Sequence, residues 1–597
     1  MPVYSVTHQG VQVLEDSRLG IVREDAAFNV GMALVSASGQ TSVTDNYELL
    51  TGKRRENKYK GSKQVFHLKN RSGQLLDIIF QVSNDGVAFR YYFPEDSKAI
   101  RKVNEESTTF NFPTETTAWL QPMAEAKTGF EGTNPSYEEN YQKDIPVGTA
   151  APTKAGWVYP ALFHYKDKWI LISETSLDRQ YCGTRLKQDS PAGEYAVGFP
   201  DVREVFTGGN AFPESVTPWY TPWRIVAVGS LKTIVESTLG TDLAKPAIKV
   251  DKSVIKPGIA SWSWVLLKDD STVFDVQKKF VDYAADMKWE YCLVDAEWDQ
   301  RIGYEKMQAL VDYAKQKGIG IILWYNSAGS WNTVKFTPKD KLLTHEKRID
   351  EFSLLKKMGV KGLKIDFFGG DGQSMINYYI DIMEDAANYG LLVNFHGATL
   401  PRGWHRTYPN LMTMESIKGM EFITFGQANA NEEPAHATTI PFTRNVFDPM
   451  DFTPMALYKI PGIQRKTSSA FELATSVIFL SGIQHMAETP TGMRMMPGYV
   501  KDFLRELPVS WNDVRFIDGY PGKFAVIARK AGDKWIVAGI NGAPEEKKLL
   551  LDLSFIKSVK GHIITDDGSG SFTQSEIMPS KTANVTIMPN GGFVIVF

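Results

Sequence analysis

Gly362-Leu363-Lys364-Ile365-Asp366-Phe367-Phe368 delivers an acidic residue and two aromatic rings at the end of a short, mostly apolar, strand-like run. A carboxylate at the end of a buried parallel strand is costly unless something pairs or uses it. Met412-Thr413-Met414-Glu415 repeats the pattern, and Glu421 follows six residues later. On either side, strand and helix alternate. Ile259–Trp264, Tyr291–Asp295, Ile319–Tyr325, 361–366 and Gly390–His396 read as strands. Phe274–Met287, Glu305–Lys317, Leu342–Met358 and Met375–Tyr389 read as helices, the first with Phe280, Ala284 and Met287 on one face. Near-continuous apolar strands indicate a parallel sheet covered by helices. Five or more such repeats over about 250 residues favour a closed (β/α)8 barrel over an open sheet. Residues 423–460 carry Pro434, Pro441, Pro449 and Pro454 and read as loop, an insertion of the kind that lines a barrel's active-site face.

The flanks have a different texture. Residues 1–252 show short alternating runs such as Leu76–Val82 and Val87–Phe93 around the turn signal Asn84-Asp85-Gly86, which predicts a large β-sandwich. Residues 253–514 hold the barrel. From 515 to 597 short strands return, including Phe524–Ala528 and Gly592–Phe597, and predict a small C-terminal β-sandwich. The fold class expected is therefore multidomain, a central α/β barrel between two β-domains.

Bulk properties exclude several functions. A chain of 597 residues is too long for one core. A net charge of −3 gives no reason to expect a nucleic-acid partner, and no apolar run is long enough for membrane insertion. The two cysteines, Cys182 and Cys292, fall in different expected domains, so neither a disulfide nor a cysteine metal site is expected.

Catalytic groups of a parallel barrel sit at the carboxyl ends of its strands. Here those ends offer Trp262 and Trp264; Asp295, Glu297 and Trp298; Trp324, Tyr325 and Asn326; Lys364 and Asp366; Asn394 and His396; Glu415 and Glu421. One such residue would be unremarkable, and Asp366 alone could cap a helix or pair with Lys364. Six strands ending this way point to a site. Lys364 shares a face with Asp366, because strand side chains alternate, and is expected to keep that carboxylate ionised. Two strand-end carboxylates, one attacking and one donating a proton, are what glycoside cleavage needs. The run Gly369-Gly370-Asp371-Gly372 lacks the Lys-Ser/Thr of a phosphate loop and reads as a strand-to-helix turn.

These residues carry a resemblance. Lys364-Ile365-Asp366-Phe367-Phe368, Asn394-Phe395-His396-Gly397-Ala398, Pro409–Glu415 through Lys418-Gly419-Met420-Glu421, and Leu507-Pro508-Val509-Ser510-Trp511-Asn512-Asp513 resemble glycoside hydrolase family 97, bacterial exo-acting α-glycosidases. Inverting members of that family place a glutamate base directly after the histidine of the fifth strand, where this chain has Gly397. Retaining members place an aspartate nucleophile at the end of the fourth, where it has Asp366. The resemblance thus implies Asp366 as nucleophile and Glu421 as acid/base, with carboxyl groups about 5–5.5 Å apart. It implies Asp295, Lys364, Trp324 and His396 as sugar contacts. It also implies a calcium ion held by Glu415, by Glu174 reaching in from the N-terminal domain, and by Asn140, on a site that Gly397 deprives of one glutamate ligand.

The implied function is a retaining α-galactosidase acting on terminal glycosides or oligosaccharides, in the periplasm or outside the cell. Alternatives on the same scaffold are a β-L-arabinopyranosidase, with or without galactosidase activity, and an α-glucosidase. A non-catalytic carbohydrate-binding barrel is disfavoured by the presence of both carboxylates. An aldolase using Lys364 as a Schiff base is disfavoured by the adjacent Asp366.

Overall fold

The computed structural model describes every residue except Pro135, Ser330, Val559, Pro579 and Ser580. Its centre is a parallel sheet of seven strands: β1 (Gly258–Trp262), β2 (Tyr291–Val294), β3 (Gly320–Asn326), β4 (Gly362–Asp366), β5 (Leu392–Phe395), β6 (Leu411–Met414) and β7 (Ile483–Met486), with β7 paired back onto β1. Between β6 and β7 the eighth position of the expected barrel is reduced to one parallel bridge, Met414 to Met450. The sheet is nearly closed, and Met450, Asp451 and Gly482 stitch the gap by backbone hydrogen bonds of 2.8–3.1 Å.

Helices cover the outside as the periodicity predicts. The helix Gln373–Asn388 buries Met375, Ile376, Tyr379, Ile380, Met383 and Ala386, spaced three and four apart. The helix His345–Met358 is capped by the Thr344 side chain and stops at Gly359, whose φ of +92° suits glycine. Two local expectations change. Trp264 opens a short helix, Trp264–Leu267, rather than ending a strand. The proline-rich stretch is not all loop: the helix Gln427–Ala437 runs with Pro434 inside it.

The N-terminal region is a 15-stranded sheet and a two-stranded hairpin, Val3–His8 with Val11–Arg18. The C-terminal region is a six-stranded antiparallel sheet and a two-stranded one. These two pack around a core of their own that includes Phe524, Val537, Leu551, Val585 and Phe593. Both cysteines are free and buried.

The N-terminal region is locked to the barrel where it matters. Arg402, after β5, holds Glu174 at 2.5 Å and Asp371 at 3.0 Å, while Tyr137 Oη donates to Asp371 at 2.6 Å. Arg185, held by Glu204 at 2.6 Å, also reaches Asp371 at 3.7 Å, and on the N-terminal side Arg224 braces Glu106 and Glu174. Asn134 Nδ2 donates to the Gly369 carbonyl at 2.8 Å. The loop that follows β4 is thereby held from both domains.

Candidate active site

Lys364 and Asp366 project from one face of β4 into a cavity of about 510 Å³ at the carboxyl ends of the strands. Its wall also carries Asp295, Trp324, Gly397, Glu415 and Glu421 from the barrel and residues between Ala124 and Glu139 from the N-terminal region.

The register of β3 on β4 pairs Trp324 with Lys364 and Asn326 with Asp366. It leaves Asp366 with two weak partners: Oδ1 accepts the Phe367 N–H at 2.8 Å, and Oδ2 accepts Trp324 Nε1–H at 3.2 Å. Burial pushes the Asp366 carboxyl above its ordinary pKa, the Lys364 and His396 charges pull it down, and Glu415 and Asp295 push it up again. The net shift is upward: Lys364 favours the ionised form but does not offset burial and the neighbouring carboxylates. The reason is geometric. Lys364 Nζ lies 3.2 Å from Asp295 Oδ2 and 4.2 Å from the centre of the Trp262 ring. Burial disfavours the Lys364 ammonium, yet the carboxylates of Asp295, Glu421, Asp366 and Glu415 outweigh it and hold the lysine protonated. A lysine so held cannot serve as a Schiff base. Asp295 completes a rigid polar floor, accepting Trp262 Nε1–H and the Ala296 N–H, each at 2.8 Å.

Glu421 lies in the first turn of the short helix Met420–Ile423, its N–H donating to Thr453 Oγ1 at 3.0 Å. Burial, chiefly, with repulsion from Glu415 and Asp366, lifts it to about 7 against the pull of Lys364 and His396. Its side chain keeps 14% exposure, enough to meet a ligand.

Glu415 behaves oppositely. Burial would raise it, but His396, Glu138 and the Gly397 N–H at 3.1 Å hold it below the usual carboxylate range. Glu138 is pushed well up by burial and by its contact with Glu415.

Behind these groups lies His396, with Nε2 2.7 Å from Asp451 Oδ2 and Nδ1 3.4 Å from Glu415 and 3.9 Å from Glu421. His485 Nδ1 approaches the same Asp451 oxygen at 2.5 Å. The carboxylates, Glu415 first, outweigh burial and hold His396 well above its ordinary pKa. As an imidazolium it is a donor at both nitrogens. His396 therefore backs the acidic groups and, contrary to expectation, is not on the cavity wall.

The calcium ligands expected from the N-terminal domain are corrected too. Glu174 is fully engaged elsewhere: Arg402 Nε and Arg224 Nη1 bind its two oxygens, and Thr184 donates to both. Asn140 is half-buried and is not among the cavity residues. Glu138 stands beside Glu415 instead, two residues from Asn140. Glu297 and Asn326 also leave the site, Glu297 pairing with Arg301 at 2.8 Å and Asn326 holding loop carbonyls.

Sequence reasoning missed Glu138, Asp451 and His485. His485 ends a strand and carried the same signal as His396. Asp451 sat in a proline-rich stretch whose register no periodicity fixed.

Gly397 has φ +49°, and a Cβ built there would lie 2.7 Å from Asp366 Oδ1 and 2.6 Å from the Phe367 nitrogen. Any side chain at 397 competes with the Asp366 carboxylate for the same space.

Three family models match this chain: "Glycosyl-hydrolase 97 N-terminal" over residues 1–246, "Glycoside hydrolase 97" over 261–417, and "Glycosyl-hydrolase 97 C-terminal, oligomerisation" over 510–597. The chain belongs to glycoside hydrolase family 97. A relative from Streptomyces bingchenggensis, described as a probable retaining alpha-galactosidase, is 34% identical over 99% of this chain and 88% of its own. A retaining alpha-galactosidase from Bacteroides thetaiotaomicron is 27% identical over 99% and 93%. Among solved structures, a beta-arabinopyranosidase superposes with a TM-score of 0.97 at 37% identity, covering 100% of this chain and 96% of that one. This family 97 chain is a glycoside hydrolase, and among its described residues no helix is long and apolar enough to cross a membrane.

Proposed function

We propose that this chain is a retaining, exo-acting α-galactosidase in which Asp366 is the nucleophile and Glu421 the acid/base. One observation carries the reading: Gly397 frees the space that the Asp366 carboxylate fills, so the attacking group comes from β4 and not from the residue after His396. The names of the two alpha-galactosidase relatives support it.

In the first step an Asp366 oxygen forms a bond to C1 as the bond from C1 to the leaving oxygen breaks. Glu421, raised to about 7 and so protonated in a large share of molecules at neutral pH, passes its proton to that oxygen. The product is a covalent β-glycosyl ester. In the second step the Glu421 carboxylate takes a proton from water, the water oxygen attacks C1, and the ester bond returns its electron pair to Asp366. Two inversions give the α-anomer. Asp295 and Lys364 hold glycone hydroxyls on the cavity floor, and Trp324 holds the nucleophile through its indole N–H.

A calcium ion suits the donor set. Glu138 and Glu415 are carboxylates in mutual contact and Glu421 is their neighbour, a cluster of oxygens that repel one another unless a proton or a cation lies among them. Glu138 and Glu415 would hold the ion, which supplies positive charge beside the acid/base. Treatment with a chelator is expected to lower activity, and calcium to restore it. Such an enzyme works in the periplasm or outside the cell.

A second reading, a β-L-arabinopyranosidase, is favoured by the likeness to the solved arabinopyranosidase. That sugar is an α-galactoside without its C6 hydroxymethyl group, so the same polar floor serves both. Hydrolysis of p-nitrophenyl α-galactoside and β-L-arabinopyranoside, compared by kcat/KM, decides. A higher value for the galactoside sustains the first reading, and arabinopyranoside turnover alone replaces it with the second.

A further inference from the structure

The cavity changes character with depth. Its floor is polar and closed: Asp295 is 3% exposed and Lys364 and Trp324 1%. Its mouth is aromatic and open. Phe130 and Phe425, at 59% and 53%, are the two most exposed phenylalanines among the described residues, and both line this one cavity. Large apolar side chains left in solvent at a binding cleft mark a surface that a ligand covers.

Their positions in the chain say which part of a ligand. Phe425 lies four residues after Glu421, on the same turn: the Phe425 N–H donates to the Phe422 carbonyl, and Thr424 Oγ1 to that of Glu421 at 2.6 Å. The group that protonates the leaving oxygen therefore carries Phe425 beside the leaving group. The ring is braced, with Lys268 Nζ 4.6 Å from its centre and itself anchored on Thr424 at 2.6 Å. Phe130 comes from the N-terminal region, its ring centre 6.2 Å from Phe367, which follows the nucleophile.

We propose that Phe425 and Phe130 form an aromatic clamp for the leaving group, selecting substrates in which that group is a second pyranose ring that lays its apolar face on the rings. The two phenylalanines are specificity-determining residues, one supplied by each domain. This rests on the assignment of Glu421 as the acid/base.

Two substrates with the same glycone separate the clamp from the chemistry: the glycosyl fluoride, whose leaving group is too small to reach the mouth, and the 1,6-linked disaccharide with glucose, α for galactose and β for L-arabinopyranose. Both are measured with wild type, F425A, F130A and F425Y. The glycone is whichever of galactose or arabinopyranose wild type releases from its fluoride, so an error in the glycone leaves the comparison intact. For the alanine variants, kcat/KM on the disaccharide is expected to fall about tenfold, while the fluoride value stays within about twofold and so reports an intact fold and floor. F425Y is expected to retain disaccharide activity. A parallel fall on both substrates, or no change on either, overturns the clamp. E421Q is read separately: if Glu421 is the acid/base, kcat/KM falls far more on the disaccharide, whose leaving oxygen needs a proton, than on the fluoride, and kcat on the fluoride also falls because deglycosylation loses its base; equal falls in kcat/KM on both substrates would remove that assignment.

Discussion

Asp366 and Asp371 leave the same strand end, yet each belongs to a different buried acidic cluster. Asp371, with Glu106, Glu174 and Glu204, is met by Arg185, Arg224 and Arg402 at the seam between the N-terminal region and the barrel. Asp366, with Glu415, Glu421 and Glu138, faces one lysine already tied to Asp295 and one histidine shared with Asp451. Guanidinium forks match carboxylates and fix them in place. In the second cluster, with one lysine and one histidine as its cations, Glu421 rises to about 7. Burial of charge is common to both clusters, and the supply of counter-charge tells the chemical one from the structural one.

The comparison can be broken at its strongest point first. D366N is expected to lower kcat on p-nitrophenyl α-galactoside by about 10⁴-fold or more while sugar binding stays measurable by calorimetry. An activity loss below about tenfold would move the nucleophile elsewhere. R402A, on the structural side, leaves Glu174 and Asp371 under-compensated in a closed seam, and should cost about 3–5 kcal/mol of stability by denaturant unfolding. If it unfolds like wild type, the seam is not the lock described here. E421Q should lower kcat/KM on a disaccharide by about 10²–10⁴-fold. It should also flatten the alkaline limb: with Glu421 raised to about 7, the protonated acid is lost as pH rises through that value, so wild-type kcat/KM falls there. G397A strains a backbone at φ +49° and crowds Asp366 Oδ1, so a loss of about 10²-fold in kcat with native circular dichroism is expected.

Much of this was legible in the sequence because one-dimensional patterns encode it. Alternating apolar runs and helical periodicity pointed to the barrel, strand-end carboxylates pointed to Asp366 and Glu415, and the role expected of Glu421 came from the family resemblance. What stayed hidden depends on long-range packing. Glu174 and Glu138 are both acidic residues in an all-β region, and only the fold shows that Arg224 and Arg402 claim the first and leave the second to the cavity. Asp451 occupies the place of a missing strand, where no alternation was available to read. The strand-end position of His396 does not say whether its ring faces the cavity or lies behind it.

The most direct measurement of the central claim is a proton NMR time course of p-nitrophenyl α-galactoside hydrolysis with calcium present. Nucleophilic Asp366 predicts that α-galactose appears first and mutarotates afterwards. First release of β-galactose would show a single inverting displacement and contradict the assignment.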